Sequence, residues 1–446
     1  MTPQRTPSTT RNTPARAVTG QEGSSPASTK AAASGRFSRL PQLAGRTFIP
    51  LGLFARLPLA MLAMGTLTLV TSVSGSFAAG GAAAGAVGIG SALGAPVLGS
   101  LADRRGQRPV LLLSAVLNSV AVLALVLAAN ATAGSGDFPP AVLAAALAAG
   151  ATCPQVGPLA RVRWMALTAN AAEPSSAPAG AARDLDAALS YESTADEVTF
   201  VLGPALVGIL ASLVAPWLPL ALAAAMTITL VPAFAMHPTH HAVPGSLRSG
   251  GRKGRDAENR VKLPWTVALP VVAMVCMGTF FGSTQAALSA FSAGIAGTEI
   301  AGLLYAVMGL SSAAAALSVA YWPRRAGLAL RWVLCGVLMA GLAVLLPVPA
   351  SLPSMAAVLL VLGLPVGPVM VTIFAVGGKV APAGRLGTVM TALASGIVAG
   401  TAIGSSVGGQ LAQLHGSAAA FLVPVGAAAA LALLGAGAAV VLRRRP

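Results

Sequence analysis

The chain has 446 residues, 55% of them hydrophobic and 9% charged, with a mean hydropathy of +0.79. That much apolar side chain exceeds what a water-soluble core hides, which excludes an ordinary soluble domain and points to a chain folded in lipid. The net charge of +16 is spread over the polar loops rather than along one face, so it argues against a nucleic-acid interface.

Residues 1 to about 50 are rich in Thr, Ser, Pro, Ala and Arg, carry one acid, Glu22, and have no periodic apolar face. A disordered cytoplasmic tail is expected there; a transit peptide has a similar composition and is the alternative. Apolar runs of lipid-spanning length follow at about 57–80, 82–101, 109–131, 139–160, 191–213 and 216–236. After a polar stretch at 237–264, containing Arg248, Arg252, Lys253, Arg255, Arg260 and Lys262, six more run at 265–292, 300–322, 328–347, 353–376, 386–412 and 417–442. None alternates as barrel strands would, and in lipid the backbone must satisfy its own hydrogen bonds. The expected fold is therefore an all-α integral membrane bundle of twelve helices. It divides into a half at 51–236, a central cytoplasmic loop at 237–264 and a second half at 265–446.

Charge tests the count. With both termini in the cytoplasm, all 28 Lys and Arg fall in cytoplasmic segments or at cytoplasmic helix ends. The outer loops then hold only Asp137, Glu299 and His415 as titratable groups.

Residues 99–108 read Gly-Ser-Leu-Ala-Asp-Arg-Arg-Gly-Gln-Arg, a charged turn framed by glycines between the second and third spans. This resembles the signature loop of the major facilitator superfamily, and the twelve-span layout extends the likeness over most of residues 50–446. The resemblance implies two pseudo-symmetric six-helix halves joined by a long inner loop and working by alternating access. Gly99, Asp103, Arg104, Gly106 and Arg108 match the pattern, while Gln107 replaces a basic residue. The resemblance further implies that Asp103 takes hydrogen bonds from a helix N-terminus or an arginine of the other half, latching the inner side. At 321–327, Tyr-Trp-Pro-Arg-Arg-Ala-Gly holds the equivalent place in the second half but lacks the aspartate, so the latch is expected to be one-sided.

The fifth span opens with Glu192, Asp196 and Glu197, a costly density of acid in a membrane helix. Glu192 and Asp196 are one turn apart and share a face; Arg161 and Arg163, at the inner end of the fourth span, are candidate partners. Acids that are dry in one state and wet in another change proton affinity, which makes these residues candidates for proton coupling; a static salt bridge is the alternative. Gly203 and Pro204 resemble, in part, the antiporter motif of the superfamily's drug exporters, or else simply bend the helix. Arg161, Arg163 and Trp164 also read as an interfacial segment with the indole at headgroup depth, or as an ordinary anchored loop.

Four glycines on a four-residue repeat, Gly396, Gly400, Gly404 and Gly408, and the pairs Gly81 with Gly85 and Gly90 with Gly94 invite close helix contact. In the superfamily the second and eleventh helices meet between the halves, so sliding there is one expectation and static packing within a half the other. Candidate cavity groups are Gln155, Phe280, Phe281, Gln285, Tyr305 and Phe374, with Met277 and Met308 nearby. Without arginine or lysine at the helix centres, such a pocket suits a neutral or amphipathic organic molecule. Cys153, Cys276 and Cys335 read as packing residues, and the His237, His240, His241 run as a solvated loop; no metal or cofactor is expected.

The expected function is proton-coupled efflux of a drug or metabolite by a monomer in the cytoplasmic membrane, like the bacterial exporters of that superfamily. An uptake permease for a neutral metabolite is the alternative, and a non-transporting receptor the alternative of another class. Neither a convergent set of catalytic groups nor a nucleotide motif is present, so an enzyme is not expected.

Overall fold

The computed structural model describes residues 37–75, 77–132, 140–171, 178–243, 264–295, 300–323 and 327–443. Eleven helices among them are long and apolar enough to cross a membrane. In the first half these are α1 (Phe48–Ser74), α2 (Ala79–Arg105), α3 (Gln107–Ala131), α4 (Pro140–Asn170), α5 (Gly180–Leu213) and α6 (Leu218–Met236). In the second they are α7 (Trp265–Ala293), α8 (Ile300–Tyr321), α10 (Leu352–Val380), α11 (Leu386–Ala420) and α12 (Leu422–Ala439), with the shorter α9 (Leu328–Ala343) between α8 and α10. The ninth apolar run was expected to continue to residue 347, but its helix ends at Ala343 and the last four residues, Val344 to Pro347, form turns.

Small residues pair the helices, and they do so alike in both halves. Gly90 and Gly94 of α2 lie against the backbone of α4 at Leu147 and Ala151, while Gly363 and Gly367 of α10 meet α8 at Met308 and Ser312. A six-helix offset converts one contact into the other. α3 with α6 and α9 with α12 repeat the relation.

The glycine stripe of α11 does not face the other half. Gly400 and Gly404 lie on the backbone of α7 at Val275 and Thr279, and Gly278 and Gly282 of α7 return the contact at Ile397 and Thr401. A β-carbon at any of the four would run into the facing backbone, so the stripe builds a tight pair inside the second half. Of the two expectations, static packing within a half is the one these contacts meet, as Gly90 and Gly94 do in the first half, and the sliding contact is not. Periodicity identified the smooth face but not the helix it meets.

The halves touch through α2 with α11 and α5 with α8. These seams lie toward the end of the bundle that carries Arg104, Arg105, Lys379 and Arg385, called here the basic end. Residues expected to be tail are ordered helix from Leu40: a short helix, Leu40–Ala44, precedes α1, and Leu40 and Phe48 are buried. Arg39 pairs with Asp184 at 3.1 Å, and the Phe37 ring meets Tyr321 edge-on at 6.0 Å, so this segment touches both halves. The rest of the expected tail, most of the central loop, Arg324 and Arg325 of the second-half turn, Asp137 and Glu299 lie outside the described residues.

Candidate functional site

Two breaks in apolar helices place the polar centre. α1 is interrupted at Ala55 and Arg56 ahead of Pro58, and α4 at Thr152–Gln155 around Pro154, because proline withholds an N–H and crowds the preceding turn. At the first break Arg56 turns inward. Its Nε donates to the Gly52 carbonyl at 2.9 Å, its Nη2 to Glu192 at 2.6 Å and its Nη1 to Asp196 at 2.9 Å.

The expected common face of Glu192 and Asp196 is thus real, and one guanidinium spans it. Arg161 adds a second cation, with Nη2 donating to Asp196 Oδ2 at 2.7 Å and its guanidinium 3.8 Å from the centre of the Phe374 ring. Trp164 is fully buried and donates Nε1–H to Glu192 at 2.8 Å, so its indole meets protein and not lipid headgroups. Every oxygen of Glu192 and Asp196 that faces a cation has a short, charge-assisted bond, which is what makes such burial tolerable.

Arg163 does not join this cluster. It points the other way around α4, giving Nε–H to Gln107 at 2.8 Å and Nη1–H to the Phe234 carbonyl at 2.8 Å and to Thr239 at 3.0 Å. Two residues apart on a helix, Arg161 and Arg163 are some 200° around the axis, so a shared partner was geometrically excluded. Gln107, the departure from the signature loop, is a buried partner of Arg163. Arg163, like Arg161 and Trp164, is buried among protein groups, which corrects the expectation of a segment exposed to lipid headgroups.

Glu197 turns away from the arginines toward α8, where Ser312 donates to its Oε1 at 2.9 Å. Thr194 reaches the Ala313 carbonyl at 3.1 Å beside it. Both bonds join the halves.

The signature loop makes the second junction. Asp103 Oδ1 accepts from the Gly387 N–H at 2.8 Å; Oδ2 accepts from the Thr388 N–H at 2.6 Å and its hydroxyl at 2.7 Å. These are orphan N–H groups of the first turn of α11, where the helix dipole also favours an anion. Gly99, one turn earlier, has no side chain because Gly387 and Thr391 occupy that space. Gly106, at φ 89°, makes the turn from α2 into α3 in a region that side chains resist. Arg104 and Arg108 are exposed beside it.

Between the two breaks and α11 lies a cavity of about 60 Å³, whose walls include Arg56, Arg161, Asp196, Gln155, Phe374 and Ser395. Of the six residues expected at a cavity, Gln155 and Phe374 line it. Gln155 also donates to the Cys153 carbonyl at 2.9 Å, covering part of the α4 break. The other four do not: Phe280 and Phe281 are packed in the core of the second half with Met277 and Met308, Tyr305 lies against that core, and Gln285 is exposed. The expectation that no cation stands in this space is overturned by Arg56 and Arg161. Arg56 was missed because it lies one residue before the first long uncharged run and reads there as a topology anchor. Its signal was the second apolar stretch, Phe48–Phe54, on its other side. Gly203 sets α5 against Ala60 of α1, and Pro204 is carried within a continuous helix.

Among the described residues, twelve apolar helices in two like halves, meeting at one end and enclosing a charged cavity, define a membrane transporter rather than an enzyme. The chain belongs to the Major Facilitator Superfamily, whose profile matches residues 49–397. No curated protein matches it in sequence. Among solved structures, it is similar to the human organic anion transporter MFSD10 (TETRAN) at 20% identity and a TM-score of 0.66, over 87% of this chain and 98% of that one. A bacterial homologue of the iron transporter ferroportin, in an outward-facing state, aligns at 19% identity and 0.60, over 88% and 98%. The E. coli fucose:proton symporter aligns at 14% and 0.56, over 88% and 99%. Likeness at these identities shows the shared fold.

Proposed function

We propose that the chain is a proton-coupled secondary transporter that carries a small organic molecule across the cytoplasmic membrane by alternating access, as a monomer, in the direction of export. The observation that carries the coupling is Glu197. It is a buried carboxyl in the α5–α8 seam, held by a serine of the other half and by no arginine among the described residues. Opening that seam wets the carboxyl, and a group whose solvation differs between two states binds its proton differently in each. The cluster supplies two guanidiniums against three carboxyls, so one proton brings it to neutrality.

The distribution of basic residues supports an orientation with both termini and the basic end in the cytoplasm. On that reading the arrangement is the state closed to the cytoplasm, with Asp103 as its latch. Support for export is the partial likeness of Gly203 and Pro204 to the antiporter motif.

Inverted membrane vesicles, acidified inside, test this with a panel of labelled drugs and metabolites. The wild type is expected to accumulate its substrate only with the gradient, Glu197→Gln to lose that dependence, and Asp196→Asn to lose turnover. Gradient dependence unchanged in both variants would remove the coupling assignment; uptake only in right-side-out vesicles would reverse the direction.

A further inference from the structure

Two residues that line the cavity beside the α4 break, one from each half, carry a buried polar atom without a hydrogen-bond partner among the described residues. Arg161 is 1% exposed, yet its Nε–H finds no acceptor among the described residues. Ser395 of α11 is 7% exposed, and its hydroxyl has no partner there either. Both line the same space. Buried polar atoms are nearly always satisfied, so two orphans at one cavity describe a ligand by its complement.

The charge of the walls narrows the class. Arg56, Arg161 and Asp196 line the cavity, whereas Glu192 is not part of its wall and is engaged by Arg56 and Trp164. In the wall itself two guanidiniums stand with one carboxylate, Glu192 being paired behind Arg56, so Arg161 is the cation with a donor left over. Asp196 is shared between both arginines, so an incoming anion at Arg161 leaves Asp196 its bond to Arg56 and strands no charge. Phe374 already covers one face of the Arg161 guanidinium, which leaves the Nε edge for an acceptor. Leu59, Phe200 and Ile397 give the rest of the wall an apolar surface.

We propose that this cavity is a subsite for the carboxylate of an amphipathic organic anion, held between Arg161 of one half and Ser395 of the other. The proposal rests on the reading of the chain as a transporter of a small organic molecule. An ammonium group would meet two guanidiniums, and a neutral amide would satisfy the orphans without the charge. The ligand bridges the halves at the seam, so its occupancy bears on their closure.

Binding to the purified full chain in lipid nanodiscs tests the class, with benzoate, cinnamate, hydrocinnamate and octanoate each measured beside its own amide. At least one acid is expected to bind about tenfold more tightly than its amide, the scale of a charge-assisted over a neutral bond. Ser395→Ala and Arg161→Lys are each expected to cut that acid-to-amide ratio about fivefold. The serine variant removes one hydroxyl and keeps the test open where the arginine variant fails to fold. The proposal falls where no acid outbinds its amide, or where the ratio is unmoved in Ser395→Ala. A preference for the acid without gradient-driven transport would remove the coupling reading and leave the subsite; gradient-driven transport without that preference would remove the subsite alone.

Discussion

Asp103 of α2 caps α11 of the opposite half, taking the Gly387 and Thr388 N–H groups at 2.8 and 2.6 Å. One carboxylate thereby ties α2 to α11 at the basic end, with a bond geometry that exists only while the two helices are together.

Replacing that carboxylate with an amide, Asp103→Asn, removes the charge facing the helix dipole and leaves one acceptor oxygen. Loss of a helix cap costs about 0.5–2 kcal/mol, so the closed state is expected to lose roughly twofold to thirtyfold in population. Maleimide labelling of a cysteine placed at buried Ala316, in a background lacking Cys153, Cys276 and Cys335, reads that opening directly. Turnover is expected to fall with normal membrane insertion; unaltered labelling and turnover would reduce the loop to a topology signal.

Gly99→Val is expected to act more strongly than Asp103→Asn. Its side chain would occupy the space of Thr391 and the Gly387 carbonyl, so α2 and α11 could not meet. The same Ala316 cysteine should then label at a rate near that of an open seam. A variant that labels like wild type would show that the helices reseat without cost.

Arg56→Ala should destabilise the protein more than Arg161→Ala. Arg56 holds Glu192 and Asp196 together, and its loss leaves buried carboxylate without a cation, at about 3–5 kcal/mol. Thermal unfolding in detergent gives the order. Arg56→Met combined with Glu192→Met should recover much of the loss; a double variant no better than the single would assign Arg56 a role beyond pairing.

Gly404→Leu is predicted to lower the yield of folded protein with no selective effect on labelling at Ala316. The glycine packs against Thr279 inside the second half, where a side chain would force α7 and α11 apart. Normal yield with altered labelling would restore the sliding contact expected for that stripe.

His237 supplies a pH dependence. Burial first, then the charges of Arg163 and His240, hold its imidazole below its ordinary value of 6.5, while its ring accepts from or donates to Thr47 and Thr239 at 3.1 Å. The unfolded chain therefore binds the proton more readily, and stability rises with pH through that window. Between pH 7 and pH 5 the wild type is expected to lose stability that His237→Gln does not lose, a difference seen in melting temperature at the two values. Parallel losses would discharge His237.

What was legible followed from local spacing. Glu192 and Asp196 stand one turn apart on any helix, so their common face could be read without a fold, and Asp103 could be singled out by its glycine frame. Arg56 could not, because its partners lie 136 and 140 positions away. Trp164 shows the same limit: the residue types that anchor a helix at the lipid surface are those that satisfy a buried acid, and only the neighbours distinguish the two.

By itself the sequence determined that the chain spans a membrane, how often, and which ends carry the basic residues, since the cost of unpaired backbone and charge in hydrocarbon acts on each segment alone. Tertiary structure decided which faces meet. It turned the α11 glycines onto α7, sent Arg163 to Gln107 and away from the acids, and brought Arg56, Arg161 and Ser395 around one cavity. Those outcomes depend on shape and hydrogen bonding between helices far apart in the chain, for which periodicity provides a face but no partner.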